Sequence, residues 1–543
     1  MTFSLWTLVL PVILGIVSAS GQPLNESPDL TGEKCGLPTV VAALHDAINN
    51  QAGDRTAWRS PFQRTERQKS FVSGKVRVHY DTSGTDAAAM LDEFFRPIPG
   101  TADEFADSVA AIANSAWTSE ASLGYLSPPD DQGAGGGTEY DVYISNLGNL
   151  YGQTFTETAL DTKPDGGKWT TYLEVDNDFV FVSPSTNRGL PALRVTLAHE
   201  LHHAIQLGGY GLWLDHIYYY EITSTWIEDV LFTEVNDYYV YLSSSQSQFR
   251  MPEVEFNSNN FIEYSRAIWN HFVAKRFGPD VVRRSWELIS GVPPLQAIDA
   301  ALAEEPYRSS FQDAFTEWAL WNYFTGNRHQ DAYYPEGSNY PLITEIQDAF
   351  QPPLDTLSNT LPPLATRYHT ISSGSAPLTL SISNIDLVGA GLGQSYSYKA
   401  LLAASPPDSE YAQTLSGVYV KLDLENPSDW STWAIVNGLA SKLGEAVPIA
   451  VQGSPFPNPF FADGSVSIPV GSSSSITGDL VIFSSDMDRV FSQTVTSQSL
   501  GGIQVMQWEG KHDNGENAGS GIYLYVIGLP DRVLTGKLAI IRR

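Results

Sequence analysis

The spacing of apolar residues changes character twice along this chain, and those changes limit what it can fold into. Between about Leu190 and Phe324 apolar side chains recur at intervals of three and four, which predicts helices at Leu190–Leu207, Tyr220–Leu242, Phe261–Phe277, Val281–Ile289 and Phe311–Phe324. Ahead of them Lys75–Tyr80, Tyr140–Ile144 and Tyr172–Val175 read as strands, with a helix at Phe105–Thr118 and a Pro/Gly loop at Pro128–Gly137. Strands followed by helices point to an α+β domain over residues 71–350. After Pro352, Pro353, Pro362 and Pro363 the period falls to two, as in Leu378–Ile382, Val418–Leu424 and Trp433–Val436. A second proline cluster, Pro455, Pro457 and Pro459, separates this β-sandwich, 363–452, from a last β-domain, 453–543.

A hydrophobic content of 42% is ample for packed cores, so wholesale disorder is excluded. The formal net charge of -30 excludes nucleic acid and anionic membrane as partners of the chain as a whole. There is 1 cysteine, so no intrachain disulfide can form and a metal would be held by His, Asp or Glu. That residue, Cys35, reads as an inert leftover thiol. The segment 1–21 has no charged side chain, an apolar run from Leu5 to Val17 and the small residues Ser18, Ala19, Ser20 and Gly21 at its exit. It is expected to be a cleaved signal peptide, which makes the mature chain secreted or cell-surface and free of transmembrane segments. Residues 22–70, with a helical pattern at Val40–Ile48, read as an N-terminal arm or pro-segment.

Chemistry concentrates at His199-Glu200-Leu201-His202-His203. On a helix, His199 and His203 project from one face a turn apart and can reach one Zn²⁺, while Glu200 lies beside them as a base for water. The apolar neighbours Leu193, Leu197, Leu201 and Ile205 predict a buried helix. His202 falls off the metal face and is assigned to packing or to support of the ligands. A third ligand is expected on the next helical segment, where Glu221 is preferred to Glu228 on spacing, with Thr225 or Glu228 left to orient a ligand histidine. Asp229 and Glu234 read as a solvated face. Asp176–Asp178 raises the question of a structural Ca²⁺.

With Glu221 in the context Glu-x-x-Ser-Thr-Trp, the HExxH motif resembles the gluzincin clan of zinc metallopeptidases. Val195–Ala198, Ala204–Gln206, Thr225–Asp229, Val235–Tyr238, Tyr80-Asp81 and Val175–Asp178 resemble a family of secreted bacterial metalloproteases across about Phe71 to Tyr323. The resemblance implies a zincin-like fold, His199, His203 and Glu221 as zinc ligands, Glu200 as general base, and a protein or peptide substrate. Ser224 stands where such proteins often carry Ala or Gly, a departure expected to touch packing rather than chemistry. Gluzincins commonly stabilise the oxyanion from a later helix; Tyr264 is the position that best resembles such a donor, with His271, His216 and Tyr218–Tyr220 as rivals.

The last domain carries a second resemblance. Pro457-Asn458-Pro459-Phe460, Leu480–Phe483, Trp508-Glu509-Gly510, Asp513-Asn514-Gly515, Ser520–Tyr525 and Gly536-Lys537-Leu538 resemble a type IX secretion sorting domain, an immunoglobulin-like sandwich. It implies the type IX secretion machinery as a partner. The expected whole is a multidomain α+β zincin-like metallopeptidase followed by two all-β immunoglobulin-like sandwiches. Its rivals are a surface adhesin with a vestigial or structural metal site, and a hydrolase of non-peptide substrates.

Overall fold

The computed structural model describes residues 33–50, residues 60–344 apart from 162, 164 and 165, strand segments between 346 and 440, and, with short gaps, residues 455–541. The expected signal peptide, 1–21, lies outside the described residues, as do Pro457, Asn458 and Pro459. The first described strand is β1 (Glu33–Cys35), followed by α1 (Leu37–Asn50). A hairpin of β2 (Lys69–Ser73) and β3 (Val76–Tyr80) leads to α2 (Ala102–Ser122), and β4 (Tyr140–Ser145), β5 (Leu150–Ala159) and β6 (Trp169–Asp176) complete a six-stranded sheet. The strand order is β1-β5-β6-β4-β3-β2. The inner strands β3, β4 and β6 run parallel, whereas β5 runs antiparallel to β6 and pairs on its outer side with β1 in parallel. Strands β4 and β6 are buried along their whole length, as parallel strands covered on both faces must be. Val78, Val142, Ile144, Leu173 and Val175 meet Phe105, Val109 and Ala113 of α2 and Leu193 and Leu197 of the next helix in one core.

That helix, α3 (Leu190–Ile205), ends in a π-helical turn, Gln206–Tyr210, and the chain returns through α4 (Ile217–Leu231). Then follow α5 (Tyr239–Ser243), α6 (Ile262–Ser265), α7 (Ala267–Arg276), α8 (Pro279–Ile289), α9 (Pro294–Ala303) and α10 (Phe311–Tyr323). Two expected helices are broken. Tyr220–Leu242 is split because the buried Asp237 carboxylate is fixed by Lys34 and Asn187, and the chain turns inward through Asn236 at φ +52 to place it there. Phe261–Phe277 is interrupted at Arg266, whose buried guanidinium donates to Gln248 Oε1 and to the carbonyls of Glu255 and Val254. Helix α9 is not among the five expected helices; Pro294 opens it, a position proline suits.

From residue 346 on every described regular element is a strand. β7 (Ile346–Phe350), β8 (Ala365–Ile371), β9 (Leu378–Ser383), β10 (Tyr396–Ser405), β11 (Ala412–Gly417), β12 (Tyr419–Leu424) and β13 (Ser431–Ala440) form a sheet of order β11-β10-β13-β8-β7 and a separate pair, β12-β9. The start of β8 is tied to the helices: Leu364 and Tyr368 share their core, and Tyr368 donates to the Ala319 carbonyl. A last set, β14 (Phe460–Phe461), β15 (Val466–Pro469), β16 (Thr477–Ser484), β17 (Arg489–Thr496), β18 (Gln498–Leu500), β19 (Ile503–Trp508), β20 (Gly521–Gly528) and β21 (Val533–Ile541), forms sheets of five and three strands. Alternate residues of β20, Tyr523, Tyr525 and Ile527, enter a core shared with Ile468, Ile482 and Trp508. The protein is therefore multidomain, an α/β region followed by all-β sheets. No helix of the described residues is long and apolar enough to cross a membrane.

Candidate metal centre

Helices α3 and α4 lie against each other beneath the outer part of the sheet, and the HExxH residues face α4. The closest approach to the sheet is at Gly152 of β5. A Cβ there would lie 2.7 Å from Thr196 Cγ2 and 2.9 Å from Glu200 Cγ, so only glycine lets the strand pass so near the helix. Two residues on, the Thr154 hydroxyl is 2.7 Å from Glu200 Oε2 and 2.9 Å from the Glu200 carbonyl. It holds one carboxylate oxygen and leaves the other, Oε1, buried without a partner.

Three expected ligands converge. His199 Nε2 is 2.9 Å from His203 Nε2 and 3.1 Å from Glu221 Oε2, and His203 Nε2 is 3.5 Å from Glu221 Oε1. All three side chains are fully buried. The far side of each ring is occupied. His199 Nδ1 is 2.7 Å from Glu228 Oε1, so Glu228 is the residue that orients this ligand, while the Thr225 hydroxyl is buried without a partner. His203 Nδ1 is 2.7 Å from Gln206 Oε1, and Gln206 Nε2 donates to the Tyr220 carbonyl, which fixes the amide so that its oxygen accepts from Nδ1–H. Both imidazoles thus direct Nε2 lone pairs at one point. Two such acceptors and a carboxylate repel unless a cation stands among them, and this donor set suits Zn²⁺.

The electrostatics agree. Burial alone would lower the His199 pKa, but hydrogen-bonded Glu221 and Glu228 raise it to about 9. Burial would raise Glu221, yet His203 and His199 hold it at about 2. Without a metal, a proton must do the work of a cation here. Glu200 is raised by burial, against the lowering effect of His199 and His203.

Sequence reasoning missed four contributors. Ser224, expected to touch only packing, places its hydroxyl 3.1 Å from His203 Nδ1. Thr154 and Gln206 have no motif of their own. Lys34 forms buried ion pairs with Glu228 (2.8 Å) and Asp237 (2.9 Å), which hold its ammonium above the ordinary range although burial opposes this. Through Glu228 it reaches the ring of His199. Its neighbour Cys35, read as an inert thiol, is also here: donor atoms of Cys35, His199, His203 and Glu221 all lie within 4.8 Å of one another. The available signal was that Cys35 is the chain's single cysteine.

Tyr264 is brought to the site, its ring centroid 6.4 Å from that of His199, and burial followed by the Glu221 charge pushes its hydroxyl well up. The rivals are elsewhere. His271 stacks on Tyr238, Tyr219 pairs with Ser285, Tyr220 donates to the Gly211 carbonyl, and His216 lies edge-on to Trp213. His202 points away from the ligands and pairs with Glu120 of α2 at 2.6 Å. Asp229, expected in solvent, is 8% exposed, and burial with the nearby Glu336 raises its pKa to about 7. Asp176 and Asp178, weighed as calcium ligands, accept backbone N–H groups of Leu147, Phe179 and Val180.

No family model matches the sequence, and no curated protein matches it. Partial matches among solved structures include PorZ, a surface component of the type-IX secretion system of Porphyromonas gingivalis, at 15% identity over 20% of this chain and 14% of that one, with a TM-score of 0.13. Another is dimeric latent PorU from Porphyromonas gingivalis, at 14% identity over 32% of this chain and 19% of that one, with a TM-score of 0.16. The chain thus spans less than a fifth of either, and overlaps of this size define no shared fold.

Proposed function

We propose that the protein is an exported zinc-dependent peptidase with a zincin-like catalytic domain. The observation that carries this reading is the convergence of His199, His203 and Glu221 on one point beside a base, Glu200, whose Oε1 is buried and unpartnered. Zinc bound there would supply Lewis-acid polarisation of the scissile carbonyl and acidify water. Glu228, Gln206 and Ser224 hold the two rings with Nε2 facing inward. Glu200, steadied at Oε2 by Thr154, accepts a proton at Oε1 from the attacking water and hands it to the leaving amine. Tyr264, its ring 6.4 Å from that of His199, is the donor assigned to the charge that develops on the carbonyl oxygen.

Zinc content and casein cleavage of wild type and Glu200→Gln test the reading. The variant is expected to keep its zinc and lose at least about a thousandfold in activity, since the same residue serves both proton transfers. Equal hydrolysis by both proteins would remove Glu200 from the mechanism. A second reading, a structural metal site on a binding protein, is favoured by the nearness of Cys35, because four protein ligands make a closed site. In that case neither protein cleaves any peptide.

The export address rests on the C-terminal motifs between Phe460 and Leu538, read as an immunoglobulin-like sorting domain for type IX secretion. The mass of the protein recovered from culture medium tests it: an intact C-terminus argues against removal of that domain on export.

A further inference from the structure

We propose that Cys35 is a fourth zinc ligand, and that the N-terminal strand carrying it holds the peptidase latent by closing the metal centre. The inference rests on the peptidase reading for its latency, but not for the ligand assignment.

Strand β1 is fastened beside the metal centre by its pairing with β5. Glu33 N–H donates to the Asn149 carbonyl at 2.7 Å and Gly36 N–H to the Gly152 carbonyl at 2.9 Å, with Cys35 in register opposite Gly152. The glycine of β5 that lets Glu200 approach the sheet is thus also the residue facing Cys35. Gly36 makes the passage possible, since a Cβ there would lie 2.6 Å from Gln153 Cβ. Cys35 is 6% exposed, and its sulfur joins a group of donor atoms spanning no more than 4.8 Å that includes a ring nitrogen of each histidine and a carboxylate oxygen of Glu221. Two carboxylate oxygens in this pocket, Glu200 Oε1 and Glu221 Oε1, are buried with no hydrogen-bond partner. Cys35 thus borders the main apolar core on one side and these polar groups on the other. The first amide of α1, Leu37 N–H, points at the sulfur at 3.3 Å, a donor suited to a thiolate.

Two imidazoles, a carboxylate and a thiolate complete a tetrahedral shell, which is the closed arrangement of structural zinc rather than the open one hydrolysis requires. Binding releases the thiol proton to solvent; withdrawal of β1 returns a proton to the sulfur and leaves the fourth position to solvent. The same withdrawal frees the outer edge of β5, whose hydrogen-bonding groups can then receive an extended peptide. Occlusion and inhibition therefore come from one three-residue strand.

The test is zinc X-ray absorption on the full chain, beside peptide hydrolysis by wild type and Cys35→Ser. One sulfur scatterer at about 2.3 Å is expected in the wild type, replaced in the variant by nitrogen and oxygen alone at about 2.0 Å. Hydrolysis by the variant should exceed that of the wild type on the order of tenfold or more. A wild-type shell without sulfur overturns the assignment whatever the variant does, including failure to fold. Sulfur in the wild type with equal hydrolysis by both proteins overturns the latency. Sulfur in the wild type with hydrolysis by neither keeps the ligand, overturns the latency, and locates the failure in the peptidase reading.

Discussion

At the scale of single residues, the second contacts of the histidines decide what the first can do. Glu228 and Gln206 each fix one ring, and neither touches the point where the Nε2 atoms meet. Gln206→Leu removes the acceptor that fixes the tautomer of His203, and a zinc affinity lower by about 10–100-fold is expected, read by competition with a chelating dye. The protonated His199 of the metal-free protein gives a pH signature. Its folded pKa of about 9 lies above the ordinary 6.5, so its stabilising contribution is complete below pH 6.5 and is lost as pH rises through 9. Chelator-treated protein should lose on the order of 3 kcal/mol of unfolding free energy across that window. His199→Gln should flatten the slope, and zinc, which needs the ring unprotonated, should suppress it.

At the scale of elements, the contact of β5 with α3 is the joint on which the site depends. Gly152→Ala forces Thr196, Glu200 or the strand to move, and a loss of about 1–3 kcal/mol is expected in denaturant unfolding. The helical half of this joint was legible in the sequence. His199, Glu200, His203 and Glu221 lie on two apolar-rich segments whose helical period can be counted, and the turn between them is marked by Gly208, Gly209 and Gly211. The sheet half was not. Strand β5 mixes polar and apolar residues without clean alternation, because Thr154 faces Glu200 of α3 instead of solvent or an apolar core. Strand β1 spans only three residues, too few to show a period, and its partner is set by tertiary pairing that no local pattern encodes. The helical pattern at Val40–Ile48 was read correctly and became α1, yet it lay in a segment thought separable. In the structure that segment is docked by the burial of Leu37, Val41 and Leu44 in the main core and of Lys34 between two carboxylates.

At the scale of the whole molecule, the β-sheets behind the α/β region are attached to it differently. Residues 364–368 belong to the helical core: Leu364 and Tyr368 are buried there, and Arg367 pairs with Glu253 at 2.7 Å. The last sheets have a core of their own, built from residues 460–540. Truncation after residue 453 is therefore expected to leave the melting transition of the α/β region unchanged. Truncation after residue 344 should lower its stability by about 3 kcal/mol through the loss of two large buried side chains. Calorimetry of the two truncated chains beside the full one checks both.

The buried Lys34 gives the molecule one further property. Its ammonium reaches the ring of His199 through Glu228, so docking of β1 and occupancy of the metal centre share one free energy, and each must strengthen the other to the same degree. The N–H groups of Glu33 and Gly36, given to the carbonyls of Asn149 and Gly152, should then exchange with solvent faster when zinc is withdrawn. The first strand of the fold would then respond to zinc supply, held more firmly where the ion is plentiful and more loosely where it is scarce.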